Sequence, residues 1–102
     1  HFSTEDPAPL IQDFLKRYRD KFNEEPGAMS ALGYDSAMIL FDAMKRAGST
    51  DGRAVRDALA ATKDFTAITG KITLNPQRNA DKSAVVLEVK EGKFKYVQTV
   101  AP

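Results

Sequence analysis

The first part of the chain has the hydrophobic spacing of helices. Apolar side chains recur every three to four residues and predict helices over residues 7–23, 30–47 and 53–62. Asp6 and Pro7 favour the first start, because Asp caps free amides and proline lacks an N–H group that would be unsatisfied there. The apolar stripe of the first helix is Leu10, Ile11, Phe14, Leu15, Tyr18 and Phe22.

The predicted second helix is apolar around most of its circumference. At about 100° per residue, only Asp35, Asp42 and Arg46 fall into one narrow polar stripe. We expect Asp42 and Arg46 to form an ion pair on a solvated stripe, and the alternative is a recognition stripe. The remaining apolar arc is wide enough to be covered on more than one side, and Met38 and Met44 are predicted to lie in the core.

Beyond the third helix the hydrophobic period changes to two. Alternation predicts one strand over residues 68–74, and residues 84–90 predict another, with a turn at residues 75–79 between them. Glu91 and Gly92 predict a two-residue hairpin turn, because such turns need the positive φ that glycine adopts readily. The chain then returns along a final strand, so the predicted order is three helices, a strand and a C-terminal β-hairpin.

Composition excludes several classes of protein. The chain has 102 residues, of which 42% are hydrophobic, enough for one domain with a packed core. Its 15 basic and 14 acidic residues give a net charge of +1, so we expect no nucleic-acid partner. It has no cysteine and one histidine, which leaves no zinc cluster and no Ser–His pair unless His1 serves. These counts disfavour most hydrolases and metalloenzymes, and we expect no metal and no cofactor.

The entrance of the second helix is the one place where the residues suggest a ligand. Met29 is expected in the loop before it and Ser30 at its start, where free amides and the positive end of the helix dipole attract a carboxylate. The alternative is that Ser30 is simply an N-cap. Glu24 and Glu25, by contrast, are predicted to be solvated charges at a helix end, because a catalytic pair needs a cleft.

Several short motifs occur in an order that is similar to one known family. Gly33-Tyr34-Asp35-Ser36-Ala37 opens the long apolar helix, which ends in Ala47-Gly48-Ser49. Thr69-Gly70-Lys71-Ile72-Thr73-Leu74 and Val89-Lys90-Glu91-Gly92-Lys93-Phe94 follow. Together they resemble the C-terminal part of the solute-binding proteins of branched-chain amino acid ABC transporters, in the type I periplasmic-binding-protein superfamily. The resemblance covers essentially the whole chain.

The resemblance implies an α/β fold of two lobes joined by three crossover segments, of which this chain is a fragment. Residues 1–82 would belong to the first lobe and residues 83–102, the C-terminal hairpin, to the second, with a crossover near residues 81–83. The wide apolar arc of the second helix and the absence of an initiator Met agree with this expectation. A homodimer of the fragment, through the apolar helix surface or strand pairing, is possible on the same grounds.

The resemblance also implies a function without chemistry. The parent protein would capture an amino acid or small carboxylate in the periplasm or outside the cell and deliver it to a transporter permease. The residues expected to contact the ligand are Met29, Ser30, Ala31 and Tyr34, with Phe2 as a weaker candidate. The alternative is a ligand-sensing receptor or regulator domain of the same fold. A third hypothesis is a complete α+β interaction domain.

Overall fold

The computed structural model describes residues 2–102, so His1 and any role for it lie outside the described residues. Three helices precede five strands, and the predicted α/β class is confirmed. The elements are α1 (Pro9–Phe22), α2 (Ala28–Ala47), α3 (Gly52–Ala60), β1 (Phe65–Ala67), β2 (Gly70–Leu74), β3 (Ala80–Asp81), β4 (Ala84–Lys90) and β5 (Lys93–Val100).

Helix α1 starts two residues later than the sequence predicts. Asp6 does not cap the helix; its carboxylate accepts a hydrogen bond from the Ala8 amide at 2.9 Å and forms a local turn before it. Pro9 rather than Pro7 occupies the first helical turn, where its missing N–H is harmless. The end is as predicted, because Asn23 adopts the left-handed conformation with φ 54°.

Helix α2 starts earlier than predicted, which corrects the placement of two residues. Gly27 is the N-cap, with an extended backbone, and its carbonyl accepts from the amides of Ser30 at 3.1 Å and Ala31 at 3.3 Å. Met29 therefore lies in the first turn and not in a loop, and Ser30 is not the N-cap. The helix ends at Gly48 with φ 63°, as the sequence predicts.

The predicted strand over residues 68–74 is present but starts two residues later, as β2 (Gly70–Leu74), and it forms a tight hairpin with β1. Strands β1 and β2 pair antiparallel, with Phe65 opposite Ile72, and Ile68 and Thr69 form the turn between them. Strand β3 pairs with the other edge of β2, which makes a three-stranded sheet of order β1-β2-β3. The turn at Asn75 and Asn79 is present and is closed by a 2.9 Å backbone hydrogen bond between them.

A buried carboxylate on α2 holds the β1–β2 turn. Asp35 is 3% exposed and accepts hydrogen bonds from the Ile68 amide at 2.8 Å, the Thr69 amide at 2.9 Å and the Thr69 hydroxyl at 2.7 Å. Asp35 therefore does not belong to a solvated stripe. The Asp42–Arg46 ion pair forms as predicted, at 2.8 Å.

The core consists of two small clusters, one where α1, α2 and the β1–β2 turn meet and one where α2 packs on β1 and β2. Leu15 is fully buried, and Ile68 is 2% exposed. Met38 is 39% exposed and Phe41 57%, so the apolar arc of α2 is only partly covered, and the prediction that Met38 lies in the core is wrong. The radius of gyration is 15.2 Å, against about 13 Å for a compact domain of this length.

The β4–β5 hairpin is as the sequence predicts and stands apart from the helices. Its turn has φ 52° at Glu91 and 72° at Gly92, the pattern of a type I′ turn. The register shifts by one residue where Leu87 faces Tyr96, which leaves Val97 as a bulge in β5. Most residues of both strands are exposed on both faces.

A carboxylate of the N-terminal segment connects this hairpin to the rest of the chain. The Glu5 carboxylate accepts from the Lys95 ammonium at 3.1 Å and from the Tyr96 amide at 3.4 Å. The bond from Lys95, and to a smaller extent that from Tyr96, lowers the pKa of Glu5 below its usual value. The contact therefore stabilises the folded chain above the ordinary pKa of glutamate and is lost as the pH falls through the lowered value.

We expect an NMR titration to detect this contact at the Tyr96 amide. Its resonance should shift with a midpoint below the usual glutamate pKa of about 4.3, because the folded state favours the ionised carboxyl. Glu5→Gln should abolish the shift, and Glu24→Gln, at an exposed position between α1 and α2, should leave it intact. A midpoint at or above the ordinary value would contradict the contact.

Candidate functional site

The connection between α1 and α2 sets the position of the α2 N-terminus. Pro26 is buried, and its ring fixes the backbone just before the helix. Arg19 donates two hydrogen bonds to the Glu25 carboxylate, from Nε and, at 3.0 Å, from Nη2. The Arg19 bonds lower the pKa of Glu25, which is a surface ion-pair partner and not part of a catalytic pair. The predicted surface role of Glu25 therefore holds.

The first turn of α2 presents amides that the described residues leave without a side-chain cap. No side chain among residues 2–102 accepts a capping hydrogen bond there, and the first turn contains no acidic residue. The positive end of the helix dipole is therefore not neutralised by the helix itself. Such an end favours an anionic group such as a carboxylate.

The four predicted contact residues do not form one patch. Met29 and Tyr34 are five positions apart and so lie about 140° apart around the helix axis. Ser30 and Tyr34, four positions apart, both face α1: the Ser30 hydroxyl donates to the Tyr18 hydroxyl at 3.2 Å. Ala31 is fully buried in the contact between α1 and α2. Met29, at 77% exposure, is the one that projects freely.

Tyr34 is anchored by Arg17, an exposed residue outside the apolar stripe of α1. Arg17 donates to the Tyr34 hydroxyl at 3.0 Å, and its guanidinium carbon lies 5.6 Å from the centre of the Tyr34 ring. The Tyr34 hydroxyl, and after it the Asp13 carboxylate, raises the pKa of Arg17. Nothing in the spacing of either helix indicates this contact, because it joins residues 17 positions apart.

A row of packed aromatic rings lies beneath the N-terminus of α2. Phe14 packs on Tyr34 with ring centres 5.0 Å apart, and on Phe2 edge to face at 6.2 Å. Tyr18 packs on Phe14 at 5.9 Å and on Phe22 at 4.6 Å. Phe2 also lines a groove of about 250 Å³ that runs between α1, the β1–β2 turn and the hairpin.

Other surfaces contribute less to a candidate site. A larger groove of about 830 Å³ lies between α3 and the loop at Asn75, and none of the predicted contact residues lines it.

Within residues 2–102, no group of three or more His, Cys, Asp or Glu side chains could hold a metal ion. None of the helices of the described chain is both long and apolar enough to span a membrane.

Comparison with known proteins gives the chain a family. Residues 1–93 match the family model described as "Periplasmic binding protein". The leucine binding protein of Thermotoga maritima is 34% identical, with a TM-score of 0.84 over 100% of this chain and 29% of that one. The branched-chain amino acid transporter substrate binding protein of Streptococcus pneumoniae, solved with isoleucine, is 35% identical, with a TM-score of 0.84 over 99% of this chain and 29% of that one.

A more distant structure shares the fold. The ABC transporter solute binding protein of R. palustris, in complex with benzoate, is 22% identical with a TM-score of 0.83, over 100% of this chain and 29% of that chain. The chain thus spans about 29% of the length of each of these three structures.

Proposed function

The chain belongs to the periplasmic binding protein family, whose members bind substrates and are not enzymes, and from this premise we propose that it is part of an amino-acid-binding component of an ABC importer. The proposed ligand is a branched-chain or related amino acid. It would be captured outside the cytoplasmic membrane and delivered to a permease. Two relatives that are 34% and 35% identical support this ligand class, one a leucine binding protein and one solved with isoleucine.

The observation that carries the proposal is the first turn of α2. Met29 is a flexible apolar side chain at 77% exposure, beside amides without a side-chain cap. An aliphatic amino acid offers an apolar side chain and a carboxylate, which are the two groups that such a turn can accept. We assign the main role to Met29 and supporting roles to Ser30 and Tyr34, which are half-buried. Ala31 would act only by supporting the contact between α1 and α2, because its methyl group is buried and its amide donates to the Gly27 carbonyl.

The division of the chain is part of the same proposal. Residues 1–82 would belong to one lobe and residues 83–102 to the other. The helices and the sheet β1-β2-β3 pack together, whereas the hairpin is mostly exposed and follows Lys82 and Ser83 directly. The largest dimension of the chain, 49 Å, agrees with an arrangement in which two parts extend from a narrow connection.

We expect Met29→Trp in the full-length binding protein to change the ratio of its affinities for L-leucine and L-isoleucine by about tenfold. The two ligands differ only in the position of a methyl group, and pockets of this kind discriminate such groups by about 1–3 kcal/mol. The measurement is calorimetric titration with each amino acid.

Met38→Leu is the matched control, since it lies on the same helix, two and a half turns away, and conserves volume. It should leave the leucine to isoleucine ratio within about twofold of the original. Equal changes in both variants would show that Met29 is not at the ligand.

A further inference from the structure

The buried carboxylate of Asp35 is linked to a lysine that it does not touch directly. The Thr69 hydroxyl donates to Asp35 at 2.7 Å and accepts from the Lys82 ammonium at 3.0 Å. Thr69 is 3% exposed, so its single proton and one of its lone pairs are both used inside the protein. Asp35, Thr69 and Lys82 thus form a chain of hydrogen bonds from α2 to the segment before β4, which we call the Asp35 relay.

The Asp35 relay ends where the body of the chain connects to the hairpin. Lys82 and Ser83 are the two residues between β3 and β4. Gly70, in the turn that the relay holds, has φ 114°, and a Cβ at this position would come within 2.8 Å of the Ser83 hydroxyl. The turn and the connecting segment therefore approach closely, and the relay fixes both with respect to α2.

Within residues 2–102, the hairpin itself makes one polar contact with the body, which is the exposed contact of Glu5 with Lys95 and Tyr96. An exposed ion pair of this kind contributes little stabilisation by itself. A buried carboxylate is costly compared with an apolar side chain, whereas a fully satisfied buried network specifies one arrangement. The relay thus has the properties of a device that selects one geometry of the connecting segment.

We propose that the Asp35 relay sets the angle at which the β4–β5 hairpin leaves the helical body, and that Lys82 is thereby a positioning residue for ligand capture. This rests on the proposed function, because Asp35 lies on the same helix as Met29, six residues further along. A change in the relay alters where the hairpin stands relative to the ligand-binding turn of α2. The ligand affinity then changes without any loss of a ligand contact.

The test measures the angle and the affinity separately, in the full-length binding protein. Spin labels are placed at Ser36→Cys, on the exposed face of α2, and at Lys93→Cys, at the end of the hairpin. Residues 1–102 contain no native cysteine, and any cysteine elsewhere in the full-length protein is replaced by serine. Pulsed electron paramagnetic resonance then gives the distribution of distances between the labels. Calorimetry with L-leucine gives the dissociation constant of each variant.

We expect Lys82→Met to shift or broaden the distance distribution by several ångströms and to change the dissociation constant for L-leucine by about fivefold. Thr69→Val should do the same, because it removes the shared hydroxyl. Thr69→Ser keeps that hydroxyl and should restore both values. Lys63→Met, at an exposed lysine outside the relay, should change neither.

An unchanged distance distribution in folded Lys82→Met overturns the proposal. Lys82→Met decides the question even if Thr69→Val fails to fold, because Lys82 is only half-buried. If the unmodified protein binds none of L-leucine, L-isoleucine and L-valine, the proposed branched-chain ligand class fails, and the distance distributions still decide whether the relay sets the angle.

Discussion

Asp35→Ala is expected to lower the free energy of unfolding by about 3–5 kcal/mol, because three hydrogen-bond donors lose their buried acceptor together. The substitution leaves the Ile68 amide, the Thr69 amide and the Thr69 hydroxyl without their acceptor. A buried donor that loses its partner costs about 1–3 kcal/mol. The measurement is equilibrium unfolding in urea, followed by circular dichroism.

Asp42→Ala is the control for this result. Asp42 lies seven residues further along the same helix and pairs with Arg46, but both side chains are more than one third exposed. A pair of this kind contributes at most about 1 kcal/mol. If both alanine variants unfold at the same urea concentration, the buried hydrogen bonds of Asp35 do not stabilise the fold.

Leu15→Ala is expected to lower the free energy of unfolding by about 2–5 kcal/mol, because it opens a cavity in a packed interior. Leu15 is fully buried and belongs to the cluster formed by α1, α2 and the β1–β2 turn. Leu10→Ala makes the same chemical change on the same helix at a position that is 41% exposed. The same urea experiment should give a clearly smaller loss for Leu10→Ala, and a loss as large as that of Leu15→Ala would mean that the core lies elsewhere.

The features that the sequence predicts correctly are those with a local cause. Asn23 and Gly48 end their helices in the left-handed conformation, which few other residues adopt easily. Glu91 and Gly92 form the predicted turn between two strands for a similar reason. In each case the backbone conformation depends on the residue at that position and not on a distant contact.

The features that the sequence does not predict depend on distant contacts. Ile68 and Thr69 are β-branched and favour a strand, yet they form a turn because Asp35, 33 and 34 residues away, accepts hydrogen bonds from their amides. Asp35 itself was expected on a solvated stripe, since helical spacing gives the relative direction of side chains but not which element covers them. The burial of such a carboxylate becomes visible only when its partners are known.

The same distinction between local causes and distant contacts applies to the candidate site. The sequence predicts Met29 in the loop just before the second helix. In the structure this helix begins at Ala28, so Met29 lies in its first turn. The burial of Ala31 and the contact of Tyr34 with Arg17 depend on how α1 packs against α2, which neither hydrophobic pattern specifies. The sequence alone therefore does not indicate that Met29 is the most exposed of the four residues expected to contact a ligand.

The β4–β5 hairpin has a consequence for solubility. Its two long edges are unpaired in the part of the chain that the structure describes, and residues 84–89 have the β-propensity of segments that assemble into cross-β aggregates. Exposed charged side chains interrupt or follow this segment: Glu88, Lys90 and Lys93. Such residues act as gatekeepers, because edge-to-edge pairing of two copies would bring like charges together. Selection at these surface positions would then act against aggregation while the hairpin edges are exposed, rather than on the free energy of the folded state.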